Sequence, residues 1–485
     1  MLNAPTAGFS RSVIEELSRR KGEPEWMLQL RLRAWEAYES TPAPLGRRGD
    51  LGTLKTLANF KFQDLNPLAL GEKGSKLPAR IEESLQEALV NERSGLIIQH
   101  NGSVVHTQLS EELKEQGVIL SDLDTAVREH PELVQKYFMT ECVPALAGKY
   151  TALHAAFWTD GFFLYVPKGV EIEAPILAQV WIDAGASAIF AHTLIIAEEQ
   201  SSVRFVEEYT SNVAEDQASL LSDVVEVFAK REARVEFSNL QDLDQHTWNI
   251  TDKNAVYAQD GSVTFVLADL GSKLTFANIG AGLQGDGSAA ELVGVFFTDH
   301  DQRYTIKTLS DHAALSTNAE TMVKGVLTDQ SRVEFEGMIR VEPGAQQTAS
   351  FLSAHALLLS KKARAELIPG LEIAANEVSA SHGATSGQID EQQLFYLMVR
   401  GIPRPEAERI VVQGFFEPVL QRIPLENLRI RLRRSIVRRM SGTYETEADT
   451  WVDAQERWEI EGVDEGAIHL DGSTRSDDEI KLQEY

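Results

Sequence analysis

The groups in this chain that could do chemistry are scattered histidines, one cysteine, an aspartate pair and an arginine-rich helix. His382 stands in EVSASHGATSGQIDEQQLFYLMVRGI (377–402), among Ala380, Ser381, Gly383, Ala384 and Thr385. So many small residues cannot fill a core, but they let a metal, a substrate or a partner surface come close to the imidazole. Taken alone, His382 reads as a satisfied histidine at a strand end. His154, His192, His246, His300, His312 and His355 add no HxxxH or HExxH spacing, so no self-contained zinc site is encoded. Asp299 and Asp301 in FFTDHDQRYTIK read as turn formers whose side chains bond their own backbone. Cys142, the only cysteine, reads as a small buried hydrophobe; it excludes an intrachain disulfide and a Cys-only cluster site. Arg429, Arg431, Arg433, Arg434, Arg438 and Arg439 lie toward a helix C-terminus, where the dipole favours cations, and partner docking outranks RNA.

Further classes fall away on charge and motif. A net charge of -27 opposes general nucleic-acid binding, which needs clustered cations. No GxxxxGK[ST] loop occurs, so this chain is not expected to hydrolyse ATP; GAGLQGDG reads as a turn. Neither a signal-like apolar segment nor a membrane-spanning run is seen, and a reducing cytoplasm is the expected location.

Different elements must position these groups in each part of the chain. Residues 1–149 read as a mostly helical domain, with VIEELSRR followed by EPEWMLQLRLRAWEAYE, where Trp26, Leu30, Ala34 and Tyr38 recur at helical spacing. Over 150–387 one small pattern returns: ASAIF at 186, SSVRF at 201, ARVEF at 233, GSVTF at 261, SKLTF at 272, SAAEL at 288, SRVEF at 331 and ARAEL at 363. Recurrence without a hairpin signal after each copy predicts a flattened parallel β-helix over an antiparallel sandwich. Alternation of Val333, Phe335, Gly337, Ile339 and Val341 points one strand face inward.

Helices return over 388–440. Asp390 is placed to cap the first, with Gln393 completing a capping box, Ile389 stapling to Leu394, and Gly401 as the stop. Pro405 and Pro424 open two more. The acidic stretch 441–485 is expected to be disordered or loosely attached.

Three ordered blocks, FEGMIRVEPGAQQT, LLLSKKARAELIPGLEIAANEV and SHGATSGQIDEQQLFYLMVRGI, resemble the core signature of the SufB/SufD family of iron-sulfur cluster assembly proteins. The resemblance runs from about Tyr150 to Met440, KGEPEWMLQLRLRAWEAYE is similar to the family's N-terminal region, and SHGAT with the nearby Gly387 resembles the SufD branch. The resemblance implies a right-handed parallel β-helix core flanked by helical domains, acting as a non-catalytic scaffold. It implies pairing with SufB, docking of the SufC ATPase through the C-terminal helices, and indirect supply of sulfur by a desulfurase system. A homodimer in the absence of SufB stays open. It further implies that His382 faces a SufB cysteine and lends a nitrogen ligand to a transient iron-sulfur cluster shared with SufB.

The match departs from the family at two positions. Family members of the SufD branch often carry cysteine two residues before this histidine, where Ala380 stands here, and Ala354 aligns with the cysteine of SufB. The rivals are a β-helix carbohydrate-active enzyme, expected to show a groove of clustered carboxylates, and a β-helix adhesin, expected to be exported. Leu394, Phe395, Ile410, Phe415 and Phe416 either pack internally or meet the ATPase, and internal packing is the expectation for any single one.

Overall fold

A computed structural model describes residues 8–44, 51–68, 93–215, 217–423 and 425–441. Most of the acidic stretch (442–485) and Pro424 lie outside the described residues. The described N-terminal helices are α1 (Arg11–Lys21), α2 (Glu25–Ser40), α3 (Thr53–Ala58), α4 (Glu111–Glu115), α5 (Leu123–Glu129), α6 (Pro131–Tyr137) and α7 (Lys149–Phe157). Ser10 caps α1 by accepting from Val13 N, and Asp122 caps α5 by accepting from Thr125 N.

The body is a parallel β-solenoid of about 8 turns. One sheet runs β2 (Ser103–Leu109), β1 (Gly95–His100), β5 (Ile176–Ile182), β7 (Ser202–Ser211), β9 (Arg234–Asp242), β11 (Ser262–Asp269), β13 (Ala289–Thr298), β15 (Asn318–Leu327), β17 (Thr348–Leu358), β19 (Val378–Gln388). The facing sheet runs β3 (Ile119–Asp122), β4 (Asp160–Val166), β6 (Ala188–Ala197), β8 (Ser219–Ala229), β10 (Thr247–Tyr257), β12 (Leu274–Leu283), β14 (Arg303–His312), β16 (Arg332–Val341), β18 (Arg364–Ile373). Among the described strands, only β2 and β3 pair antiparallel to their neighbours.

The recurring sequence pattern has a local cause. Its first, small residue sits at a corner where the chain turns into the next strand: Ser201, Ala233, Ser288, Ser331 and Ala363 are all buried there. Ser201, Ser288 and Ser331 donate their hydroxyls to the carbonyls of Glu198 (2.6 Å), Gly285 (2.7 Å) and Thr328 (2.7 Å). Just upstream, Gln200, Glu232, Asp260 and Asp329 take the left-handed conformation that each corner demands. At Gly261 an added Cβ would press on three carbonyl oxygens at 3.0–3.1 Å, so no side chain fits without a shift.

Alternation then sorts the strands. Val203, Phe205, Phe237, Phe265, Val333, Phe335, Ile339 and Val341 fill the lumen, each buried large side chain contributing roughly 1.5–3 kcal/mol. On the outside of the second sheet, Phe163, Phe190, Leu194, Val224 and Phe228 form another core with α1, α2 and α7. That layer is riveted by Arg31, which is fully buried on α2. Its guanidinium donates to Glu23 (2.6 and 2.9 Å) and to the carbonyls of Ala156 (3.0 Å) and Trp158 (2.9 Å) at the end of α7. Burial pushes the Glu23 carboxyl up, but Arg31 and Lys21 outweigh it and hold it down at about 2.

After β19 the chain forms α8 (Glu391–Val399) and α9 (Arg404–Leu420), in the same compact unit as the solenoid. Asp390 caps α8 by accepting from Gln392 N at 2.8 Å, and Gly401, at φ +89°, follows its end. A second unit begins at Ile423, and its described helix is α10 (Glu426–Ser441).

Candidate functional site

The two ends of the solenoid are built differently. At its start, antiparallel β2 and β3 stand outermost. At its finish, β19 and β18 are the last strands, and no described residue adds a further strand to either. The inward positions of β19 are Val378, Ala380, His382 and Ala384, since Val378 and Ala384 pack on the lumen core and side chains alternate. His382 pairs in register with the buried Leu352 of β17, yet is itself exposed. On β18 the same loss of cover reaches Leu371 and Ile373, which are 37% and 42% exposed although their register partners Ile339 and Val341 are buried. The last coil therefore presents a cross-section of the core to solvent, with one imidazole set in it.

Small neighbours keep that imidazole accessible: Ala380 and Ala384 flank it on the inward face, and Gly383 has open space where a Cβ would stand. Ala354, one strand back, is buried in the lumen opposite Ala384. His355 faces the other way, bonded through Nδ1 to Thr385 Oγ1 at 2.7 Å; burial and then the Lys324 charge push its imidazole down. The two histidines thus lie on opposite sides of the sheet and cannot share a ligand.

The remaining candidates separate. Asp299 and Asp301 lie in the turn between β13 and β14, where Asp299 accepts from Gln245 (3.0 Å) and Asp301 pairs with Lys273. Cys142 is buried, its thiol donating to Asn254 O at 3.1 Å, and burial pushes its pKa well up. His312 lies in the lumen between Thr317 and Ser350, where burial pushes it down to about 4. Among the described residues no group of three or more His, Cys, Asp or Glu is arranged to hold a metal ion.

Beside this end, Ile389, Leu394 of α8 and Ala407 of α9 cluster with Leu357 on the outside of β17, while α9 runs along β15 and β13. Leu394 and Phe416 are buried, whereas Phe395 and Val399 are 66% and 62% exposed, with Tyr396, Met398 and Ile410 also outward. Phe415 stays half-buried, its carbonyl accepting from Lys324 Nζ at 2.7 Å.

Comparison with known proteins places this architecture. The family description "SUF system FeS cluster assembly, SufBD core domain" matches residues 180–415, and "SufBD protein N-terminal region" matches 21–179. The chain belongs to the SufB/SufD family. Within it, the chain is 34% identical over 443 residues to the iron-sulfur cluster assembly protein SufD of Bacillus subtilis, covering 90% of this chain and 100% of that one. It is 31% identical to an iron-sulfur cluster assembly SufBD family protein of Staphylococcus saprophyticus, over 90% of this chain and 94% of the relative. This SufB/SufD member is thus most like SufD.

Sequence reasoning missed the polar rows that anchor its N-terminal layer. Ser222 Oγ, His154, His192 and Glu226 form one buried chain: 3.0 Å to His154 Nδ1, 3.2 Å from His154 Nε2 to His192 Nδ1, and 3.1 Å from His192 Nε2 to Glu226 Oε2. His154 lies on α7, His192 on β6, and Ser222 and Glu226 on β8, so the register of β6 against β8 and the packing of α7 on them bring the four together.

Proposed function

We propose that this chain is a non-catalytic scaffold subunit of iron-sulfur cluster assembly, which pairs with a SufB-type partner through the open end of its solenoid. The reading is carried by one observation: His382 occupies a core position on an uncovered terminal coil. Leu371 and Ile373 supply apolar area, and the unpaired edge of β19 offers main-chain donors and acceptors to a partner strand.

In that seam the nascent cluster is cargo. His382 supplies a neutral nitrogen donor while the partner supplies thiolates, a mixed ligand set suited to iron. With Ala354 and Ala380 at the neighbouring positions, this chain contributes no sulfur there. The exposed face of α8, with Phe395, Tyr396 and Val399, is the docking surface for a SufC-type ATPase.

The test is co-expression with SufB and SufC partners, followed by purification and cluster reconstitution read by visible absorbance. His382→Ala should leave the complex assembled and lower cluster yield several-fold, whereas the isolated chain should hold little chromophore. Unchanged yield in the variant complex would remove His382 from the site, and failure of the three proteins to co-purify would remove the scaffold reading.

A further inference from the structure

Within the lumen, far from the open end in sequence, lies a charged layer that neither scaffold nor docking role uses. From β6 comes Thr193; from β7, Glu207 and Tyr209; from β8, Asp223; from β9, Asn239 and Gln241; from β10, Thr251 and Lys253; from β11, Asp269. All lie on the inward parity of their strands, sharing it with core residues such as Ile195, Phe205, Val225, Phe237, Ala255 and Leu267. Three carboxyl groups thus face one ammonium.

The hydrogen bonds are uneven. Lys253 pairs with Asp223 Oδ2 and donates to Thr251 Oγ1 at 2.8 Å, and Thr251 also donates to Asp223 Oδ2 at 2.8 Å. Glu207 accepts from Thr193 Oγ1 at 2.7 Å and from Tyr209 Oη at 2.6 Å. Asp223 Oδ1, though buried, has no partner. Leaving such an acceptor bare is costly, and a second carboxylate beside it without its own cation is costlier. The Tyr209 hydroxyl interacts with both carboxyl groups, so a single added proton repairs both faults. Bound to Glu207 Oε2, it turns that oxygen into a donor toward Tyr209 Oη and frees the Tyr209 O–H to turn to Asp223 Oδ1. The proton comes from water, and no other bond changes.

We propose that the lumen binds one proton, held by Glu207 and relayed through Tyr209 to Asp223, and that the coils from β6 to β11 loosen when it leaves. Burial, and then the Asp223 carboxylate, push the Glu207 carboxyl up to about 7; burial pushes Asp269 up to about 6. A carboxyl raised in the folded state gives stability that is greatest at low pH and declines as pH rises from the ordinary 4.5 to about 7. Buried His154 and His312 act with the opposite slope, so the informative quantity is a difference between variants.

Glu207→Gln, whose amide can donate to Tyr209 in place of the acid proton, is compared with the unaltered full chain in thermal melts from pH 5 to pH 8. The variant should gain several degrees relative to the parent as pH rises, and difference infrared spectra of the parent should show an un-ionised carboxyl band that vanishes on alkalinisation. A variant-minus-parent difference independent of pH would overturn the proposal. If the variant does not fold, the parent labelled with carbon-13 glutamate decides: the titrating band must shift with the label, and a band that stays in place, or none at all, sinks it.

Discussion

His382 stands directly across from Leu352, so the last coil places an imidazole where the coil before it places a buried leucine. The same ladder position changes from buried core to exposed end in one step of 30 residues, the interval between the starts of β17 and β19.

That relationship predicts opposite responses to truncation. Leu352→Ala should cost about 2–5 kcal/mol, because it opens a cavity in a closed part of the lumen. His382→Ala should change stability of the isolated chain by no more than about 0.5 kcal/mol, as for other exposed sites. Denaturant midpoints of the two variants check this, and a large loss for His382→Ala would mean that its imidazole already packs within its own chain.

Charging the open end should separate folding from association. Ala380→Lys places an ammonium on the inward face of β19, the last strand, two residues before the exposed His382 and outside the lumen core cluster. Folding alone leaves that charge in water, whereas covering the end would desolvate it at a cost of several kcal/mol. The expected outcome is an unchanged melt of the isolated chain with SufB co-purification lost. Retained co-purification would move the seam elsewhere.

The helix after β19 carries a separate prediction. Phe395 and Val399 are four residues apart on α8 and mostly exposed, so the double change Phe395→Ser, Val399→Ser should cost the fold little. ATPase retention on affinity purification should fall to background while SufB is retained. Leu394→Ser, by contrast, should unfold the packing of α8 on β17, because Leu394 is buried among Ile389 and Ala407.

Much of this was legible in the chain alone because the solenoid is built from local rules. Small corner residues and strict alternation mark each turn, as with Ser331 followed by Val333 and Phe335. The Asp390 cap and the Ile389–Leu394 contact were likewise written in adjacent residues. His382 could be singled out by its small neighbours, but not its inward parity on an uncapped coil, which depends on which strand comes last. Phe395 and Phe416 look alike in sequence, and only packing leaves one exposed and buries the other. Arg31 was the least legible: an arginine among helix charges reads as surface, and its burial is compensated by Glu23 and by carbonyls at Ala156 and Trp158, more than a hundred positions away.

The buried histidine chain makes the last prediction, and its direction follows from who must donate. Glu226 accepts from Met139 N (2.7 Å) and Val143 N (3.1 Å), so it serves as the acceptor for His192 Nε2–H. His192 Nδ1 then accepts from His154 Nε2–H, and His154 Nδ1 accepts from the Ser222 hydroxyl. Burial, followed by the neighbouring His192, pushes His154 well below the ordinary 6.5. A histidine lowered in the folded state gives stability that is complete above that value and is lost as pH falls beneath it, because the unfolded chain takes up the proton first. Glu226→Gln would turn an amide donor toward donors that have no other acceptor, costing about 1–3 kcal/mol for each group left unpaired. The parent should therefore lose melting temperature below pH 6.5 through this chain, and Ser222→Ala should lose only the terminal link. Hydrogen exchange at the amides of Met139 and Val143 reads the effect locally: it should accelerate strongly in Glu226→Gln and hardly at all in Ser222→Ala, and equal acceleration in both would show that Glu226 does not anchor this loop.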